Sequence, residues 1–161
     1  MSFSKVCIVG LGVIGGSLAY MIREQYPSVE LWGLSDHKET IDLALSKKLI
    51  DHGRIEASCI DTQMDLVIVA TPLQLIPGIV SNLSEHIQSP CVFTDVGSIK
   101  GEIQAQIPSL RSRHCFIGGH PMAGRTESGL KYADANLLLG AKYFLMHHDD
   151  PRREALKDFI T

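Results

Sequence analysis

The stretch from Val6 to Ala19 constrains this chain more than any other. An apolar run, Val6-Cys7-Ile8-Val9, turns without a polar linker into Gly10-Leu11-Gly12-Val13-Ile14-Gly15, and Gly16-Ser17-Leu18-Ala19 follows. Strand, then G-x-G-x-x-G, then helix is the order that binds the pyrophosphate of a dinucleotide. Gly10 permits the tight turn, Gly12 lets backbone approach the phosphates, and Gly15 allows the helix to pack closely on the strand. The helix start offers unpaired N–H groups and a positive dipole end to the anion. A glycine-rich turn without a ligand is the alternative reading, and the flanking strand and helix argue against it. Gly10, Leu11, Gly12, Val13, Ile14 and Gly15 are therefore the expected phosphate-side contacts.

The rest of the chain repeats the same rhythm. Residues 5–9 read as the first strand, 12–23 as a helix and 29–34 as a second strand, a βαβ unit of the length the glycine motif requires. Residues 65–70 are a continuous β-branched run, the pattern of a parallel strand buried on both faces, and residues 91–96 read as the next buried strand. Ile76, Val80, Leu83 and Ile87 recur at helical spacing, with Pro77 expected in the first turn. A helix over 102–107 stops at Pro108. Residues 49–53 look like a helix end with Gly53 past the C-cap, and residues 57–59 like a short edge strand. Residues 115–118 and 142–146 read as further strands, with His120 in a loop between glycines. A last helix begins near Pro151, capped by Asp149 or Asp150.

This alternation predicts an α/β fold, a Rossmann-type doubly wound and mostly parallel sheet with helices on both faces. At 161 residues the chain suits one dinucleotide-binding domain over 1–161. Its last helix, from about residue 151, is cut short by its pattern at Thr161, as in a shortened or a naturally short chain.

Composition removes several functions. A net charge of −3 gives no sign of a nucleic-acid or anionic-membrane partner. No run approaches the roughly 18 apolar residues of a membrane span. The first residues lack the apolar core of a signal peptide, so a cytoplasmic location is the expectation. Cys7, Cys59, Cys91 and Cys115 are scattered without a C-x-x-C pair, and Cys7 and Cys91 sit in strand runs as small hydrophobes. Neither a disulfide framework nor a metal site is expected, including at His147-His148. His37, His52, His86, His114, His147 and His148 are taken as surface residues.

In a doubly wound sheet the ligand crevice lies at the carboxyl ends of the strands. Ala70-Thr71-Pro72 closes one such strand and Gly97-Ser98 follows another, which makes all five candidate cofactor contacts. Ser35-Asp36 ends the second strand, where the adenosine ribose is met. Asp36 either accepts hydrogen bonds from the ribose or caps the next helix. Ser35, with His37 and Lys38, offers donors to a 2′-phosphate instead. NAD is favoured because this loop carries no arginine, and NADP stays possible. His120 can share a proton near neutral pH. Ser98 either bonds His120 and a substrate hydroxyl or caps the helix after it. Arg125 either meets substrate or phosphate or is an exposed loop arginine.

The blocks at residues 9–19, Thr94-Asp95-Val96-Gly97-Ser98-Ile99-Lys100-Gly101 and Gly118-Gly119-His120-Pro121-Met122-Ala123-Gly124 resemble the prephenate/arogenate dehydrogenase family. The resemblance covers essentially the whole chain, but only the nucleotide-binding half of the family's two-domain protein. It implies oxidative decarboxylation of prephenate or arogenate in tyrosine biosynthesis, with hydride passing to NAD(P). His120 matches the family's catalytic histidine, and Ser98 the serine that orients it and the nicotinamide. The family's helical domain, which carries a substrate-binding arginine and most of the homodimer interface, has no counterpart in these residues. Ser35-Asp36 fits neither the NAD nor the NADP pattern of the family cleanly, and Arg125 stands in a loop that usually reads Gly-Thr-Glu. Another Rossmann-type hydroxyacid or imine dehydrogenase, or a nucleotide-binding module without catalysis, are the rival readings.

Overall fold

The computed structural model describes residues 3–146 and 149–160. Strand β1 (Lys5–Val9) is the hub of a six-stranded sheet in which every neighbouring pair is parallel. Helix α1 (Val13–Gln25) leads to β2 (Glu30–Leu34), α2 (Lys38–Ser46) and β3 (His52–Arg54) on one side of β1. The chain then crosses to β4 (Leu66–Val69), α3 (Ile76–His86), β5 (Cys91–Asp95), α4 (Lys100–Gln106) and β6 (His114–Ile117) on the other. The spatial order is β3-β2-β1-β4-β5-β6, the doubly wound order whose reversal between β1 and β4 opens a crevice at the carboxyl edge.

Alternation along each strand explains why both faces need helices. Val6 and Ile8 join a core with Leu18 and Ile22 of α1 and Ile41 of α2. Cys7 and Val9 face the other way, toward Ile76, Val80 and Leu83 of α3. Every residue of β4 and β5 is buried, which is why their runs are continuous rather than alternating. Pro77 lies in the first turn of α3, where its missing N–H costs nothing. A second, two-stranded antiparallel sheet pairs β7 (Gly119–Pro121) with β8 (Tyr143–Leu145). Helix α5 (Arg152–Ile160) packs Leu156 and Phe159 on the α1 side, and Asp150 Oδ1 accepts from Arg152 N at 2.9 Å as a cap.

Four readings need correction. Residues 49–53 are not a helix end: α2 stops at Ser46, Lys48 makes the turn at φ 55°, and residues 52–54 are the edge strand β3. The glycine signal misled because Gly53 serves close packing, with Ile41 Cγ2 2.2 Å from where a Cβ would stand. Residues 57–59 form a 3-10 turn, not a strand. His120 lies in a strand rather than a loop, because its pairing with Phe144, 24 positions away, is invisible to local pattern. His114 is buried, not on the surface. The pair His147-His148 lies outside the described residues.

His114 stacks edge-on against Phe93, with neither ring nitrogen in hydrogen-bonding geometry to a protein partner. Burial, aided by Arg113, lowers its pKa from the ordinary 6.5. The unfolded chain then binds a proton that the folded chain refuses, so stability falls as pH drops below about 6.5 and levels off below the folded value. Each tenfold loss of proton affinity corresponds to about 1.4 kcal/mol. A His114→Phe variant is expected to lose this part of the acid sensitivity, read by urea denaturation at pH 7 and pH 5.

The cysteines give a second check. Cys7, Cys91 and Cys115 are buried and Cys59 is exposed. Burial pushes the Cys7 thiol up to about 12 and Cys115 to about 11. Native labelling with a thiol-disulfide reagent should modify Cys59 rapidly and the other three only on unfolding.

Candidate functional site

The glycine loop is built by steric necessity. Gly10 sits at φ +89°, and a Cβ there would stand 2.6 Å from the Ala70 carbonyl oxygen. Its N–H donates to Leu34 O at 2.8 Å, and Ala70 N donates to Val9 O at 2.7 Å, so the ends of β1, β2 and β4 are tied together. A Cβ on Gly15 would lie 2.0 Å from Gly10 O, which leaves no side chain possible between helix and turn. Around Gly12 there is nothing within 4 Å of the Cβ position. Gly12 is also the N-cap of α1, and no side chain caps that helix. The first-turn N–H groups therefore face an open cradle without a carboxylate nearby.

Two further features border this cradle. Thr71 Oγ1 is buried without a hydrogen-bond partner, an orphaned donor and acceptor at the end of β4. Beyond it a mainly apolar recess runs between Leu34 of β2 and Ile79 and Leu83 of α3, with Gln74 and Asn82 as its polar lining. A loop without Cβ atoms, an unused hydroxyl and an apolar slot suit the phosphates, hydroxyls and flat base of a dinucleotide. The residues present fit such a group.

At the end of β2, Ser35 Oγ accepts from His37 N at 3.2 Å and starts the turn into α2. Asp36 does not cap that helix: His37 is the N-cap and no side chain bonds to it. The Asp36 carboxylate is 88% exposed and lies 3.6 Å from His37 Nε2. Ser35 N donates to the backbone oxygen of Arg54 on β3 at 3.1 Å, which ties the loop to the edge strand. The Arg54 guanidinium stacks 5.0 Å from the Trp32 ring centroid and bonds Cys59 O.

The other end of the crevice holds the second group of candidates. His120 is half-buried, and its Nδ1 lies 3.4 Å from the Val96 carbonyl. When Nδ1 donates there, Nε2 is left as the proton acceptor. Phe144, paired opposite His120 on β8, is exposed beside it. Ser98 is exposed; no hydrogen bond joins it to His120 among the described residues. It does not cap α4 either, since Ile99 is the N-cap without a side-chain bond. Arg125 is occupied by Asp134 at 2.8 Å and by Tyr132 O, so it braces its loop.

Sequence reasoning passed over Asp95 and Lys100. Asp95 is fully buried at the end of β5 and pairs with Lys100 at the start of α4. Burial lowers the Lys100 pKa against the pull of Asp95. Two signals were present in the chain: a charged residue ending a buried strand, and a lysine where a helix dipole disfavours one. Among the described residues no cluster of three or more His, Cys, Asp or Glu could hold a metal, and no helix is long and apolar enough to cross a membrane.

Comparison with known proteins agrees on one family. The family model described as the nucleotide-binding domain of prephenate dehydrogenase matches residues 18–161. A prephenate dehydrogenase of Lactococcus lactis is 35% identical over 156 residues, covering 95% of this chain and 44% of that protein. The crystal structure of Synechocystis arogenate dehydrogenase superposes with a TM-score of 0.87 at 33% identity, covering 97% of this chain and 55% of that one. Prephenate dehydrogenase from A. aeolicus, in complex with hydroxyphenyl propionate and NAD+, gives 0.87 at 31% identity, covering 98% and 55%. The chain thus spans about half the length of the proteins it matches.

Proposed function

Because the chain belongs to the prephenate dehydrogenase family through its nucleotide-binding domain, we propose that it binds NAD, with NADP as the second candidate. On this reading it forms the cofactor half of an enzyme that oxidatively decarboxylates prephenate or arogenate in the cytoplasm. Residues 1–161 are the dinucleotide-binding domain, and a helical half outside them would supply substrate-carboxylate binding and the contacts of a homodimer.

The observation that carries the reading is the open cradle at Gly12 between the buried Gly10–Gly15 contact and the unpartnered Thr71 hydroxyl. Backbone N–H groups of Leu11 to Ile14 would hold the pyrophosphate. Asp36, free of a capping role, and Ser35 would meet the ribose, and the recess at Leu34 and Ile79 the adenine. Ala70, Thr71, Pro72, Gly97 and Ser98 would line the path toward the nicotinamide. When bound, the nicotinamide supplies the hydride acceptor. His120 Nε2 takes the proton of the ring hydroxyl as the C4 hydrogen leaves with its electron pair. Loss of the ring carboxylate as carbon dioxide then restores aromaticity, and His120 returns its proton to the phenolic oxygen.

The test is titration of this chain with NAD+ and NADP+, followed by turnover assays with prephenate and arogenate on this chain and on any longer form that carries it. Saturable NAD+ binding with turnover in the longer form is expected. Failure of both dinucleotides to bind at millimolar concentration would remove the reading. Binding without turnover in any form would leave a nucleotide-binding module.

A further inference from the structure

Asp95 and Lys100 clamp one residue, Gly119, through the two peptide groups on either side of it. Asp95 Oδ1 accepts from Gly119 N at 3.1 Å, and Lys100 Nζ donates to Gly119 O at 2.7 Å. The two side chains also bond each other, and Asp95 Oδ2 accepts from Gly97 N at 2.9 Å. Both polar groups of Gly119, the residue immediately before His120, are therefore held by a single ion pair. Sterics close the third side: a Cβ on Gly119 would stand 2.7 Å from Asp95 O and 2.9 Å from the Tyr143 ring. The Val96 carbonyl that faces His120 Nδ1 belongs to the next residue after Asp95.

The geometry points to Asp95 and Lys100 as positioning residues that fix where the His120 imidazole stands in the crevice. The inference rests on the reading of His120 as the proton acceptor and goes beyond it. Stability alone is a poor reason for such a pair, because desolvating two charges offsets most of their attraction. Helix α4 gains nothing from a cation at its first position either. What the pair does achieve is placement: it joins the end of β5, the start of α4 and the start of β7 at one point. A misplacement of about 1 Å in a proton-transfer group costs about 100-fold in rate.

The experiment uses Asp95→Asn/Lys100→Met, which removes both charges and leaves neither buried alone, beside His120→Asn and the parent. Three quantities are read: the His120 imidazole 1H–13C cross-peak and NAD+ affinity in this chain, and kcat against KM in the longest form that turns over. The clamp predicts a shifted, broadened His120 signal, kcat lower by about 100-fold, and unchanged NAD+ affinity and KM for the dinucleotide. A parent-like cross-peak with parent-like kcat overturns it. So does a collapse of melting temperature in which kcat, KM and NAD+ affinity fail together, since the pair is then structural only. Full turnover in His120→Asn would instead refute the proton-acceptor role, and the cross-peak would still decide whether the clamp orients the ring.

Discussion

A Gly15→Ala variant of this chain is expected to fold poorly, whereas Gly12→Ala folds like the parent and fails only to bind its ligand. The two glycines belong to one motif and lie three residues apart, but they meet different surroundings. A methyl group on Gly15 would stand 2.0 Å from a backbone oxygen of Gly10 and 3.1 Å from the Ala70 side chain. Neither α1 nor the β1 turn can retreat without disturbing the strands that Gly10 ties together. The expected cost is about 3 kcal/mol or more, a large fraction of a domain's total of about 5–15 kcal/mol. A methyl on Gly12 meets nothing within 4 Å, and its φ of −79° suits any residue. Stability should change by less than about 0.5 kcal/mol. The same methyl stands in the cradle offered to a pyrophosphate, so NAD+ affinity should fall about tenfold or more, about 1.4 kcal/mol. Thermal melting and NAD+ titration of both variants separate the two effects. Equal melting temperatures for the two would show that the loop tolerates rearrangement.

His120→Asn is the second variant with a large expected effect. An asparagine amide can still donate to the Val96 carbonyl that lies 3.4 Å from His120 Nδ1, so local structure should survive. What disappears is the second ring nitrogen, the only part of the side chain that can take a proton from a hydroxyl. Turnover of prephenate or arogenate should fall by about 10²–10⁴-fold. NAD+ binding should be spared, because the glycine loop follows β1 while His120 stands on β7. A variant with parental turnover would release His120 from its role. One that lost NAD+ binding as well would place the ring in the cofactor site rather than at the substrate.

Much of this could be read from the chain before any coordinates. The glycine motif, the wholly apolar β4 and the periodicity of α3 depend on neighbours in sequence, and each was legible for that reason. The placement of Gly10 and Gly15 followed from the sterics of a missing Cβ, which is a local property. The edge strand β3 was misread because Gly53 has a tertiary use against Ile41. His114 looked like a surface residue because nothing in its neighbourhood announces Phe93.

By itself the sequence determined the doubly wound class, the place of the glycine loop, and the strand end that Ser98 follows. Only the tertiary structure decided the rest: that Asp36 is no helix cap, that the Ser35 N–H is bonded to Arg54 O on the edge strand, that Arg125 is spent on Asp134, and that Asp95 and Lys100 hold Gly119 just before His120. The division has a physical cause. Backbone periodicity and glycine sterics act over a few residues, whereas a salt bridge or a strand pairing joins groups that the chain brings together only after the sheet is built.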